Sequence, residues 1–519
     1  MGMSDAQVVE GYCDRRSYVS GDRVGLHLSV TRPGLLGDVV PGDRPSTVDI
    51  TVSRIGATRE PVWSAAGITV DPQPIPERAS ALGTAWPVTL SIDVDADWPS
   101  GWYDIALRAA GRADDGAPVM HAGFAVRAPA GRPNSPILLV LATNTWNAYN
   151  DWGGPNLYTG ETQVSFHRPF ARGLLDRPDP FAQRNANRAV EPDPNVERWT
   201  RYVLDHRICP WSGCAGWPSW EALFVAWAER AGYSIDMATN DDLATVPDLL
   251  DDHRLVLSVG HDEYWSAEMR DALEGHVAAG GNAAFLSGNT AFWRVQNDPD
   301  THTMRCPKLQ PDADGRTWMW ADPRTGRPET QMTGVTFTRG GYARIGNATP
   351  RGAGGYTVWR PDHWLFAGTD LRYGDVLGAA EGVVGYECDG CAMTMRDGLP
   401  EPTHEDGCPE GFEILATAPA HLWSKTPEHD EYPSGLTVLR DIGELEETAD
   451  VLFGDHAPET TQRIAHGRAV LGSYVAGGTV VTTGCTDWTF GLAGGDPVVE
   501  QITHTLIGRL SGETSAPRE

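Results

Sequence analysis

The chain has 519 residues, 40% of them hydrophobic, and a formal net charge of −29. That length exceeds one ordinary core, at roughly 100–200 residues per domain, and calls for two or three. Such an excess of acid repels nucleic acid and anionic lipid, no basic stripe offsets it, and no apolar run is long enough to span a bilayer, so neither partner is expected.

The first residues lack a basic region followed by an apolar run, so no secretory leader is expected and the cytoplasm is the expected compartment. Residues 1–130 read as all-β. VGLHLSV (24–30), TVDITVSRI (47–55), PVTLSIDV (87–94), WYDIALRAA (102–110) and HAGFAVRA (121–128) alternate apolar and polar positions between turn residues. That spacing predicts a small immunoglobulin-like sandwich, a packing domain without chemistry of its own. PAGRPNSP (129–136) has linker composition, with the linker proper at 131–136.

From 137 the pattern changes. ILLVLAT (137–143), YSIDMAT (233–239), RLVLSVG (254–260) and NAAFLSG (282–288) read as buried strands. WEALFVAWAERAG (220–232), a short stretch DLLDDH (248–253) and SAEMRDALEGHVAAGG (266–281) read as helical. This rhythm predicts an α/β domain over 137–512 with a doubly wound, mostly parallel sheet. AVLGSYVAGGTVVTTGCTDW (469–488) adds a strand region, VVEQITHTLIGRL (498–510) a closing helix, and 513–519 a tail. Residues from about 294 to 430, rich in Gly, Pro, Trp and Asp, read as an insertion of loops and short strands covering the sheet. No phosphate-binding glycine loop is present, so nucleotide binding has no support.

Ligands of such sheets bind beyond the carboxyl ends of the strands. There the chain places TNTWNAYNDWGGPNLYTG (143–160), GHDEYW (260–265) and SGNTAFW (287–293). Aromatic packing would account for the tryptophans. It accounts less well for Asp262 and Glu263 beside His261, since two carboxylates at a strand end need partners or a metal. The eight cysteines, without an export signal, predict free thiols rather than a disulfide framework. Cys388 and Cys391 form a CxxC, with Cys408 beyond; Cys306 or His404 would complete a four-ligand zinc site. Ordinary buried thiols, structural zinc and a disulfide all stay open for these cysteines.

The segments NTWNAYNDWGG, SVGHDEYWS, SGNTAFWR, GYECDG (385–390) and GTVVTTGCTDWTFGL (478–492) resemble the N,N-dimethylformamidase large (beta) subunit and its relatives. The resemblance runs from about 136 to 510, and the front sandwich is similar to the leader domain of shorter members. It implies a glutamine-amidotransferase-like fold for the catalytic domain, a mononuclear non-haem ferric iron held by two tyrosines and a glutamate, and hydrolysis of a C–N bond in a small amide or formamide. Carried over by motif, the ligands are Tyr149, Tyr158 and Glu263; the neighbouring FHRPF segment has Phe170 where a tyrosine would be the alternative. His261 becomes a neighbour of the metal, and Asn289, Lys308 and Glu387 line the pocket. Hard oxygen donors of this kind suit ferric iron better than zinc, and a phenol ligates at neutral pH when a highly charged cation displaces its proton. In this scheme Glu387 or His261 takes a proton from water and one of them returns it to the leaving amine, while Asn289 and Lys308 donate to the oxyanion. GHDEYWS offers no thiol at the strand-to-helix elbow, which argues against thiol catalysis.

Two other readings compete. One is a metal-free relative whose aromatic pocket, in a chain with 19 tryptophans, grips a sugar or other small ligand. The other is a structural role, the sandwich and cysteines organising an assembly. The family's characterised enzyme also carries a small partner subunit, so such a partner, a homo-oligomer and a lone working chain stay open.

Overall fold

The computed structural model describes residues 7–34, 38–110, 118–178, 201–343, 354–424 and 443–513. All but Glu513 of the expected tail lies outside these residues, as do 344–353 and 425–430 of the expected insertion.

Two sheets form the front of the molecule. Val8–Cys13, Arg23–Pro33, Val39–Pro41 and Val88–Asp93 make one; Ser17–Tyr18, Met120–Val126, Gly101–Ala109, Ser46–Ile55 and Arg59–Val70 make the other. Alternating residues such as Val24, Leu26 and Leu28 from the first, and Ile50, Tyr103, Ile105 and Phe124 from the second, share one buried core. The period of two puts every other side chain on that inner face. The Tyr103 hydroxyl donates to the Pro99 carbonyl at 2.7 Å, and Trp98 stacks on the Tyr103 ring. Val8–Cys13 escapes the sequence pattern because all six of its residues are buried, leaving no polar alternation to read.

Behind these sheets lies a nine-stranded sheet in the order Asp236–Thr239, Ile137–Leu141, Leu255–His261, Asn282–Gly288, Gly478–Thr482, Arg468–Ala476, Glu413–Pro419, Tyr356–Val358, Val376–Leu377. The first five are parallel and the last four run on antiparallel. Both faces are buried. Ile137, Leu139, Leu141, Leu255 and Leu257 face a core completed by Val499, Ile502 and Leu506 of the helix Pro497–Ser511. Leu138, Val140, Val256 and Phe285 face the other way, onto Met269, Leu273 and Val277 of the helix Ala267–Ala278. Continuous apolar runs result because neither face meets water.

Three expectations are corrected. Residues 247–252 form turns and the helix is Asn240–Thr245, started by a Thr239–Asp242 capping box. Asp248 and Asp252, at φ 59° and 67°, cannot sit in a right-handed helix. Residues 469–488 hold a hairpin of two strands rather than one region, with Gly477 at φ 89° between them. The insertion does more than cover the sheet: three of its strands extend it.

The chain runs from Ile137–Leu141 out to the edge strand Asp236–Thr239, then back across to Leu255–His261 on the other side. Connections on the two sides of Ile137–Leu141 therefore depart in opposite directions, which opens a crevice at the carboxyl ends of these neighbouring strands. The segment leaving the first strand forms the helix Thr143–Tyr149 and then a long loop, and Arg168 fastens that loop from inside. Its buried guanidinium donates to the carbonyls of Ser165 (3.0 Å), Trp152 (2.7 Å), Asn150 (3.0 Å) and Asn147 (3.3 Å). We expect Arg168→Met to strand these buried carbonyls and to cost on the order of 2–4 kcal/mol of stability. Urea denaturation would show it as a lowered midpoint, and an unchanged midpoint would contradict this role.

Candidate active site

The crevice holds a closed cluster of polar side chains. Glu263 follows Leu255–His261 and is buried, as are Tyr149, His261, Glu387, Asn289 and Lys308; Tyr158 is partly buried. Local structure fixes each one. Gly260, at φ +80°, turns the end of its strand where a Cβ would lie 2.4 Å from that of Trp220. The Thr145 hydroxyl accepts from the Glu263 backbone N–H at 2.9 Å, tying the first crevice helix to the end of the second strand. Asn156 donates to the Tyr149 carbonyl at 3.1 Å and accepts from the Tyr158 N–H at 2.8 Å, so one side chain spaces the two tyrosines.

The two phenols converge on the carboxylate. The Tyr149 hydroxyl lies 2.7 Å from that of Tyr158 and 3.1 Å from Glu263 Oε2. The Tyr158 hydroxyl donates to Glu263, at 2.6 Å to Oε1 and 2.8 Å to Oε2. Lys308 Nζ sits 3.1 Å above the Tyr158 ring centroid, a cation–π contact. Trp211 lies against both tyrosine rings and, like Tyr158, is partly buried. This pair is the part of the cluster open to solvent.

His261 bridges the two halves of the site. Its Nδ1 lies 2.7 Å from the Cys214 carbonyl, which can only accept, so Nδ1 carries a proton and Nε2 faces Glu387 at 2.7 Å and Glu263 at 3.4 Å. Glu387 starts the strand Glu387–Gly390, whose backbone is held by the 485–487 turn: the Thr486 N–H donates to the Glu387 carbonyl, and the Tyr386 N–H to Asp487. Gly288 is required here, since a Cβ would lie 2.4 Å from the Glu387 carbonyl oxygen. Asn289, at φ 50°, donates through Nδ2 to Glu387 Oε2 at 3.1 Å. Asp389 accepts the N–H groups of Asn289 and Thr290 at 2.9 and 3.0 Å and so sets that turn. Asn289 thus orients Glu387, a task that the motif reading, which made it an oxyanion donor, does not contain.

Electrostatics follow from burial. Desolvation and the Glu263 charge hold both phenols well above their ordinary pKa. Burial opposes a charge on His261, but the Glu387 and Glu263 carboxylates outweigh it and push its pKa well above the usual histidine value. Burial also works against the Glu263 charge; the hydrogen bond and charge of His261, with Lys308, win, and its pKa falls below the ordinary glutamate value. Without a cation the site therefore holds two neutral phenols, the Glu263 carboxylate and an imidazolium lying between Glu263 and Glu387.

The oxygens of Tyr149, Tyr158 and Glu263, all within 2.6–3.1 Å of one another, make a hard donor set of the kind that suits a small, highly charged cation. Among the described residues no group of three or more His, Cys, Asp and Glu side chains is arranged to hold a metal. Cys388, Cys391 and Cys408 are not brought together. Cys391 and Cys408 share one core with each other, while Cys388 belongs to the core on the other face and pairs through its backbone with Cys485, all four thiols being free. Cys388 sits inside the strand Glu387–Gly390 and Cys391 just past its end, and the two side chains enter different cores. Thr145, Trp211, Cys214, Tyr264, Asp389 and Asp487 also build the site without having been singled out from sequence. Thr145, Tyr264, Asp389 and Asp487 lie within those same motifs, which was the available signal, whereas Trp211 and Cys214 come from the separate stretch CPWSGC (209–214).

In the metal-free protein, His261 should titrate above the ordinary value of about 6.5. Its contribution to stability is then complete below that value and is lost as pH rises through the raised one. Glu387→Gln removes the nearer attraction and should move the titration down. NMR of histidine-labelled protein reads both; a wild-type value at or below about 6.5, or no change in the variant, contradicts the account.

The family model described as N,N-dimethylformamidase beta subunit-like, C-terminal, matches residues 49–502, from within the front sheets to the last helix. The N,N-dimethylformamidase beta subunits of an Alcaligenes species and of Paracoccus aminophilus are each 24% identical over 387 residues, which is 67% of this chain and 46% of either relative. The chain thus spans about half the length of the relatives it matches. With a match over most of its length, the chain belongs to the N,N-dimethylformamidase beta subunit-like family.

Proposed function

We propose that this protein is an iron-dependent hydrolase of a C–N bond in a small amide or formamide, with ferric iron held by Tyr149, Tyr158 and Glu263. The observation that carries the reading is the convergence of two buried phenols on one carboxylate, at 2.6–3.1 Å, in a chain of this family. When bound, ferric iron supplies Lewis-acid polarisation of a carbonyl and acidification of water.

The chain's own residues divide the remaining work. Glu387, oriented by Asn289 and by His261, is placed to take a proton from the attacking water. His261, held as an imidazolium between two carboxylates, is the acid that returns a proton to the leaving amine. Lys308 brings its positive charge to the edge of the site where negative charge develops on the substrate oxygen. Trp211 and Tyr158, the partly buried edge of the cluster, narrow its approach and favour a small substrate. The relatives are named as beta subunits, which supports working in an assembly with a second kind of subunit. Among the described residues no helix is long and apolar enough to cross a membrane.

Tyr149→Phe and Glu263→Gln should each lose bound iron and amine release from small amides together. Glu387→Gln should keep the iron and lose turnover by roughly 100-fold or more, the scale of a positioned general base. Iron content by elemental analysis, read beside amine release, separates these outcomes. Full iron and full turnover in Tyr149→Phe would defeat the proposal, and a sugar or other ligand bound without metal would favour a binding module.

A further inference from the structure

Asp262, the second carboxylate of the HDEYW turn, takes no part in the proposed ligand set, yet it is fully buried. A carboxylate leaves water only where other groups replace its hydration, and the side chains that do so here are an amide and a hydroxyl. Asn240 donates to Asp262 Oδ1 at 3.3 Å, and the Ser258 hydroxyl donates to Oδ2 at 2.9 Å. Ser258 Oγ lies 3.1 Å from Ser287 Oγ, which in turn lies 2.8 Å from Thr290 Oγ1. All of these side chains are buried.

A run of hydroxyls therefore leads from Asp262 through the strands Leu255–His261 and Asn282–Gly288 to the turn that carries Asn289. The Asp262 carbonyl takes the Ala291 N–H of the same turn at 2.9 Å. Asn240 continues the run the other way: its Oδ1 accepts the Asn144 N–H at 3.0 Å, in the helix Thr143–Tyr149 that bears the first tyrosine. The place of the turn matters because Asn289 orients Glu387. Asp389 holds the backbone of the turn, but Asp389 and Glu387 share the strand Glu387–Gly390, so that clamp moves with the base. The run to Asp262 ties the turn instead to the strand end that bears His261 and Glu263. A buried polar network whose members satisfy one another is rigid, which is what such a tie requires.

Resting on the hydrolase proposed above, we propose that Asp262 is a positioning residue that sets, through Ser258, Ser287 and Thr290, where Asn289 aims Glu387 relative to the metal ligands. It touches neither the ligands' oxygens nor the substrate. It fixes the spacing between the half of the site that binds and the half that moves the proton.

Thr290→Val and Ser287→Ala each cut the run without altering a ligand or Glu387. In the metal-free protein, hydrogen exchange of the Asn289 and Thr290 backbone N–H groups should quicken several-fold in both variants. In the iron-loaded protein, iron content and the KM for N,N-dimethylformamide, the amide the relatives are named for, should stay at wild-type values. The kcat should fall roughly ten- to a hundredfold, because the base is misplaced while binding is untouched. The double variant should lose no more than either single one, since a run once cut cannot be cut again. Thr290→Ser, which keeps the hydroxyl, should bring kcat back. Wild-type exchange, lost iron, full kcat in either single variant, or losses that multiply in the double one would overturn the role of Asp262 and leave the iron site standing. A wild-type protein that takes up no iron and releases no amine overturns both.

Discussion

A carboxylate buried at the end of a parallel strand is the constraint that organises this molecule. Glu263 has left water, and an ionised group does so only where partners replace its hydration. Two phenols, the His261 ring, the Lys308 charge and the Thr145 link to its backbone supply that replacement. They come from separate stretches of chain, and the strand order brings them together. Because Ile137–Leu141 and Leu255–His261 are neighbours whose connections diverge, the tyrosine loop and the HDEYW turn leave the sheet into one crevice. The same burial keeps the phenols protonated, while the Glu387 and Glu263 carboxylates overcome it to keep His261 charged, so the metal-free cluster already holds the acid its proposed chemistry requires.

The front sheets take part in this arrangement. Trp152, in the tyrosine loop, packs edge-on against Trp86 and donates its indole N–H to the buried Glu10 at 3.1 Å. Trp102 packs against Trp146 and Trp217, one from each segment walling the crevice. Ion pairs of Arg54 with Glu229, Arg16 with Asp241 and Arg127 with Asp242 tie the two layers at their margin. The loop bearing Tyr149 and Tyr158 is thus clamped between Arg168 on its inside and the front aromatics on its outside. Rigid support of this kind is what a ligand set with fixed oxygen–oxygen distances needs.

Much of this was legible in the sequence because it depends on local pattern. The apolar runs at 137–141, 255–260 and 282–288 are strands for the reason they look like strands, burial on both faces. The motif residues Tyr149, Tyr158, His261, Glu263, Asn289, Lys308 and Glu387 all reach one cluster. What local pattern could not show is what depends on distant partners. Lys308 looks like a surface lysine until the folded chain lays it over Tyr158. Asn289 looks like a strand-end donor until Glu387, nearly a hundred residues on, takes its hydrogen bond. Cys388 and Cys391 look like a metal pair until the folded chain sends them to different cores. The insertion strands Tyr356–Val358 and Val376–Leu377 are three and two residues long, too short for any periodicity to mark them, and their place in the main sheet is decided by pairing alone.

The most direct test of the central claim is ferric titration of protein stripped of all metal, followed by elemental analysis and visible absorption. The account predicts uptake of about one iron per chain, accompanied by a tyrosinate-to-iron charge-transfer band, since two of the three ligands are phenols. Iron bound without such a band, or no uptake at all, would contradict the assignment of Tyr149, Tyr158 and Glu263 as the metal site.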